Sequence, residues 1–127
     1  MKKHHLFVYG TLKRGFYNHY FLEGAEFIGK AITVDKYSLY VKGFIPYVLK
    51  SPKISNIKGE VYLVNEDTLQ KIDILEGHPY EYKREKIKVK LEDSDEVIHA
   101  WMYFYKDTEE PGILIPEGIY SKKLLKD

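Results

Sequence analysis

The chain has 127 residues, 44% hydrophobic and 15% aromatic, which is enough apolar material for one compact domain and too little length for two. Twenty basic side chains against nineteen acidic leave a formal charge of +1, so no global field draws the protein to nucleic acid or to an anionic membrane. The lack of cysteine excludes a disulfide framework, a thiolate nucleophile and every cysteine-based metal site.

No apolar run is long enough to span a membrane, and Met1-Lys2-Lys3-His4-His5 leads straight into a strand rather than into a signal-peptide core. A single cytoplasmic domain over residues 1–127 is the expectation. Abundant lysine and glutamate beside a single glutamine, Gln70, suit a thermophile.

Leu6 to Val8 reads as the first strand. It ends in Tyr9-Gly10-Thr11-Leu12-Lys13-Arg14-Gly15, a turn that is not a polar hairpin. Glycine at position 10 permits a positive φ and close approach of the main chain to a ligand, and successive N–H groups can hold a carboxylate. Tyr17 to Leu22 reads as a helical turn or short helix leading to Gly24. From Glu26 to Val41 the partly alternating Phe27, Ile28, Ile32, Val34, Tyr37, Leu39 and Val41 fit two strands or one bent strand. Gly43 and Pro46 then break the pattern.

Lys58 to Val64 alternates as a strand. Asn65 follows as a helix cap, with Glu66 and Asp67 in the first turn, Leu69, Ile72 and Leu75 at helical spacing, and Gly77 and Pro79 as stop signals. Tyr82 to Leu91 alternates again, and Glu92-Asp93-Ser94-Asp95 turns it into Val97 to Tyr105, a hairpin. Lys83, Lys86, Lys88 and Lys90 on its first strand read as protection of an exposed edge. Its second strand is apolar on both faces, as a central strand is. Residues Thr108 to Gly112 form a loop, and the tail from Ile113 packs back at its start. Strands in series around one clear helix imply an α+β domain with a curled, mostly antiparallel sheet.

Glu76 is the chemically pointed residue. At the end of the helix its ionised form meets the negative ends of the last carbonyls, and flanking Leu75 and Tyr80 can remove water from it; both effects raise its pKa. Position alone still reads it as a solvated surface glutamate in preference to a proton carrier. Tyr82 is either a core aromatic or a hydroxyl presented to a pocket. Arg84, next but one, reads as half of a surface or barrel-rim ion pair. The histidines His4, His5, His19, His78 and His99 show no ligand spacing, no serine lies in a nucleophile elbow, and no phosphate-binding glycine fingerprint occurs.

Five words stand in an order that resembles the gamma-glutamylcyclotransferase-like family, nearly end to end: Phe7-Val8-Tyr9-Gly10-Thr11-Leu12-Lys13-Arg14-Gly15, Lys58-Gly59-Glu60-Val61-Tyr62, Ile72-Asp73-Ile74-Leu75-Glu76-Gly77, Tyr82-Lys83-Arg84 and Ala100-Trp101-Met102-Tyr103-Phe104-Tyr105. The short gamma-glutamylamine cyclotransferases and AIG2-like proteins are the branch it is most similar to. The resemblance implies a small closed β-barrel with external helices, a lyase or transferase reaction that releases 5-oxoproline and an amine, and a small gamma-glutamyl substrate. It implies Glu76 as general acid/base, which reverses the reading from position. It further implies Tyr9, Gly10, Thr11 and Leu12 as the turn that holds the alpha-carboxylate and amino end of the glutamyl group; Tyr82 is a substrate-binding candidate from its own place, six residues after Glu76. No metal, nucleotide or other cofactor is required, and neither nucleic acid nor membrane is an expected partner. The alternative is a non-catalytic small-molecule-binding or regulatory barrel of the same family. The wall facing the leaving group is expected from Gly43 to Ser55 and from Asp107 to Ile119.

Overall fold

Three consecutive apolar residues, Leu6, Phe7 and Val8, need cover on both faces, and the fold supplies it. The computed structural model of the chain describes residues 2–106 and 111–125. In it β1 (Lys3–Val8) lies between β4 (Ser55–Asn65), antiparallel, and β6 (Val97–Tyr105), parallel. Phe7 points into a barrel whose interior also holds Leu39, Val61, Val89, Met102, Phe104 and Tyr120. Leu6 and Val8 point the other way, beneath a helix, with Tyr62, Val64, Leu69, Ile72 and Tyr103.

The barrel closes through one long strand. β2 (Glu26–Lys42) pairs with β4 and, through Ala31 to Thr33, with β5 (Tyr82–Leu91), so that β2, β4, β1, β6 and β5 form a ring. Register shifts between Phe27 and Gly29 and between Ile32 and Lys36 bend β2, which selects the single bent strand over two strands. Its far half carries β3 (Ile45–Leu49) and β7 (Ile113–Leu114) outside the ring.

Several expectations meet the structure directly. β5 and β6 form the hairpin over the expected residues, and β6 is central, with Ala100, Met102 and Phe104 inside and Trp101, Tyr103 and Tyr105 outside. The helix α1 (Glu66–Glu76) starts where Asn65 Oδ1 accepts the Thr68 N–H at 2.8 Å. It ends at Gly77, whose φ of 66° is the left-handed cap in which glycine is favoured, with its N–H donated to the Asp73 and Ile74 carbonyls. Ile115 and Tyr120 bring the tail back into the barrel.

Others are narrowed or corrected. Of the helical turn or short helix expected from Tyr17 to Leu22, the turn is what forms, a 3-10 turn over His19–Leu22. Pro46 does not end the sheet: β3 is an edge strand, where a residue without an N–H is tolerated. The lysine-bearing β5 is an edge in part: from Tyr82 to Lys88, where Lys83, Lys86 and Lys88 stand, its one ladder partner among the described residues is β6, and its last three residues close the barrel against β2. Lys90 falls in that seam. Of the expected loop, Thr108 to Glu110 lie outside the described residues.

Candidate active site

The turn after β1, the β2–β3 corner, the end of α1 and the outer faces of β5 and β6 meet around a cleft of about 370 Å³. Tyr9, Gly10, Thr11, Leu12, Glu76 and Tyr82 all line it, although 67 positions separate the first four from Glu76 at their widest. The turn is braced from behind. Lys13 N–H donates to the Gly10 carbonyl at 3.1 Å, His19 Nδ1 donates to the Leu12 carbonyl at 2.9 Å, and Asn18 holds Thr11 through Nδ2–H to Oγ1 at 3.0 Å. Among the described residues the N–H groups of Gly10, Thr11 and Leu12 have no protein acceptor, so they are available to an anionic group.

Gly10 is required for a different reason from the one its type suggests. Its φ is not in the left-handed region; a Cβ there would stand 2.6 Å from Pro46 Cγ, so the turn and β3 touch where the cleft begins. The left-handed glycine of the turn is Gly15, at φ 90°.

Glu76 is half-buried at the last position of α1, and burial, then the neighbouring Glu81 carboxylate, push its carboxyl up to about 7. Tyr80 has no part in this: it is 80% exposed and does not line the cleft. The surrounding rings are Tyr9, Tyr82 and Tyr103, with Leu75 at the rim.

These tyrosines do not offer hydroxyl protons to the cleft. Tyr9 donates to the Tyr103 carbonyl at 2.9 Å, Tyr82 to the Pro46 carbonyl at 3.0 Å and Tyr103 to Asp73 Oδ1 at 2.6 Å. Tyr82 is therefore core and cleft wall at once, with its donor engaged. Burial first, and then neighbouring negative groups, hold all three well above the usual phenol range. Arg84 forms the expected ion pair, with Asp73.

Sequence reasoning missed Asn18, Lys42, Glu81, Tyr103 and Tyr105, which also line the cleft. A usable signal existed for Tyr103 and Tyr105, since alternation along β6 places them on the α1 side. Of the two segments expected to wall the leaving group, the first reaches the cleft. Ile45, Pro46 and Tyr47 come from the first segment, no residue from 111 to 119 lines the cleft, and residues 107–110 lie outside the described ones. Among the described residues no three His, Asp or Glu side chains gather as a metal site, and no helix is long and apolar enough to cross a membrane.

Among the described residues the architecture is a closed five-stranded barrel with two added strands and one α-helix, and the cleft lies on the α1 side of it. The chain belongs to the gamma-glutamyl cyclotransferase, AIG2-like family, whose model matches residues 6–122. It is 51% identical over 118 residues to a Methanocaldococcus jannaschii protein named "putative gamma-glutamylcyclotransferase", covering 92% of this chain and 95% of that one. It is 37% identical over 130 residues to gamma-glutamylaminecyclotransferase C of Danio rerio, covering 96% and 77%. The crystal structure of an AIG2-like protein from Mus musculus superposes with a TM-score of 0.88 at 29% identity, over 97% of this chain and 91% of the other.

Proposed function

We propose that the protein cyclises a gamma-glutamyl compound, releasing 5-oxoproline and a free amine, with Glu76 as the general acid/base and a gamma-glutamylamine as the substrate class. The observation that carries this reading is one carboxyl held at about 7 in the same cleft as three unpaired backbone N–H groups. The amides of Gly10, Thr11 and Leu12 receive the alpha-carboxylate. That contact turns the alpha-ammonium toward Glu76 and the gamma-carbonyl toward the β3 wall.

Glu76 as carboxylate takes a proton from the ammonium. The freed amine attacks its own gamma-carbonyl carbon, a C–N bond forms, and a five-membered ring closes through a tetrahedral intermediate. The bond to the leaving nitrogen then breaks as Glu76 returns the proton to it, and the second proton of the former ammonium passes from the ring nitrogen to the departing amine, which leaves as an ammonium. No water is consumed and no atom is left over. Because both reacting groups belong to one molecule, holding the glutamyl chain in a near-attack geometry and moving protons from one nitrogen to the other is sufficient chemistry. A pKa near the working pH suits a group that must both take and give.

Gamma-glutamyl amines, gamma-glutamyl amino acids and glutathione, each incubated with the protein and assayed for 5-oxoproline, test the reading. Release from the amines supports it. Binding without release from any of them would leave the non-catalytic barrel in its place.

A further inference from the structure

Glu76 accepts no hydrogen bond from a protein group among the described residues, so its own side chain does not fix where its carboxyl lies. The backbone on either side does. Arg84 on β5 donates Nε–H to Asp73 Oδ1 at 2.8 Å and Nη2–H to Oδ2 at 3.1 Å, a two-pronged grip three residues before Glu76. Its main-chain N–H donates to His78 Nδ1 at 3.2 Å, two residues after Glu76. One residue therefore holds the chain on both sides of the carboxyl.

The grip continues into the cleft. Tyr103, opposite Arg84 in the β5–β6 ladder, donates its hydroxyl to the same Asp73 oxygen, and its carbonyl accepts the hydroxyl of Tyr9 at the start of the binding turn. The guanidinium lies 4.3 Å from the centre of the Trp101 ring, which fixes it from a further side. Burial alone would raise the Asp73 carboxyl, but the hydrogen bonds from Arg84 and Tyr103 outweigh it and keep Asp73 ionised.

Such a pair is an expensive way to stabilise a helix. The two side chains are only 18% and 16% exposed, so desolvation cancels much of their attraction. What a fork-to-carboxylate contact supplies is direction. We propose that Arg84 and Asp73 are positioning residues for Glu76, which set its carboxyl against the binding turn through Tyr103. This rests on the reading of Glu76 as the proton carrier.

The test compares Arg84→Met, which keeps an apolar stem over Trp101 but loses the grip, with Arg84→Lys, which keeps the charge but not the fork. Per folded molecule, both should lose about tenfold to a hundredfold in kcat, the scale on which small misplacements act, while KM changes less than about threefold. Lys should restore the melting point without restoring kcat. Parental kcat per folded molecule, or full rescue by Lys, overturns the proposal.

A second arm does not depend on turnover. The double variant Asp73→Asn/Arg84→Met removes the pair without changing net charge, and the charged and titratable groups that face Glu76 remain: Glu81, Lys42, Tyr9, Tyr82 and Tyr103. Carbon-13 titration of the Glu76 carboxyl should find its midpoint lowered by about one pH unit, as a loosened last turn admits water. An unchanged midpoint overturns the proposal. If the parent releases no 5-oxoproline at all, the enzymatic reading fails while this titration still decides the positioning, and it also serves if Arg84→Met does not fold.

Discussion

Replacing Glu76 with glutamine should stabilise the protein at pH 8 and leave it unchanged at pH 4. The folded carboxyl titrates at about 7 against 4.5 when solvated. Its proton is thus held more tightly in the folded state, so the carboxyl imposes no penalty below pH 4.5. Between pH 4.5 and 7 the unfolded chain releases the proton first, and stability is lost across that window and stays lost above it. At 1.4 kcal/mol per unit the gap corresponds to about 3 kcal/mol. The amide of glutamine also has to be accommodated, which reduces the expected gain to about 1–3 kcal/mol.

For a domain of this size that gain raises the melting point by roughly 4–10 °C at pH 8, against less than about 2 °C at pH 4. Scanning calorimetry of parent and variant at both pH values, at matched ionic strength, reads the difference, and titrations elsewhere in the chain cancel in it. Relief of the repulsion from Glu81 has the same sign and belongs to the same effect. Equal gains at pH 4 and pH 8 would show a contact unrelated to ionisation. No gain at pH 8 would show a hydrated carboxyl with an ordinary pKa, and the case for a tuned proton carrier would go with it.

The same variant should lose roughly two to four orders of magnitude in turnover while calorimetric titration still detects binding of the glutamyl portion; parental turnover would falsify the assignment of Glu76. In the parent, kcat/KM should rise with pH through about 7, because the carboxyl must be ionised to receive the ammonium proton, and a flat profile from pH 5 to 8 would contradict this. Gly10→Val should weaken binding at least tenfold and cost about 1–3 kcal/mol in denaturant titration, since its side chain is driven into Pro46; unchanged affinity would make the turn merely structural. Turnover should survive exhaustive chelation, and loss with EDTA followed by rescue with a divalent ion would require a different mechanism.

What could be read from the sequence follows from how local each signal is. Asn65, the acidic first turn and Gly77 each act within one turn of chain, and they mark α1 within a residue at both ends. The hairpin was legible because its alternation and its polar corner are also local. β3 was not, because the legality of Pro46 depends on the strand being at an edge, which is a property of the whole sheet. Likewise the edge that Lys83, Lys86 and Lys88 mark gives no sign that β2 closes over Val89 to Leu91 beyond them.

The site divides along the same line. Glu76 and the Tyr9-Gly10-Thr11-Leu12 turn carry chemistry in their own neighbourhoods, whereas the tyrosine hydroxyls take their meaning from partners 30 to 94 positions away. Those distant bonds decide what the cleft can do. With Tyr9, Tyr82 and Tyr103 donated to protein acceptors and held above the usual phenol range, none of the three can trade a proton near neutrality. The cleft then offers a substrate apolar ring faces, unpaired amides and one carboxyl poised at about 7. A reaction between two groups of the same bound molecule, with protons carried from the first to the second, is the chemistry that such a surface can support without further machinery.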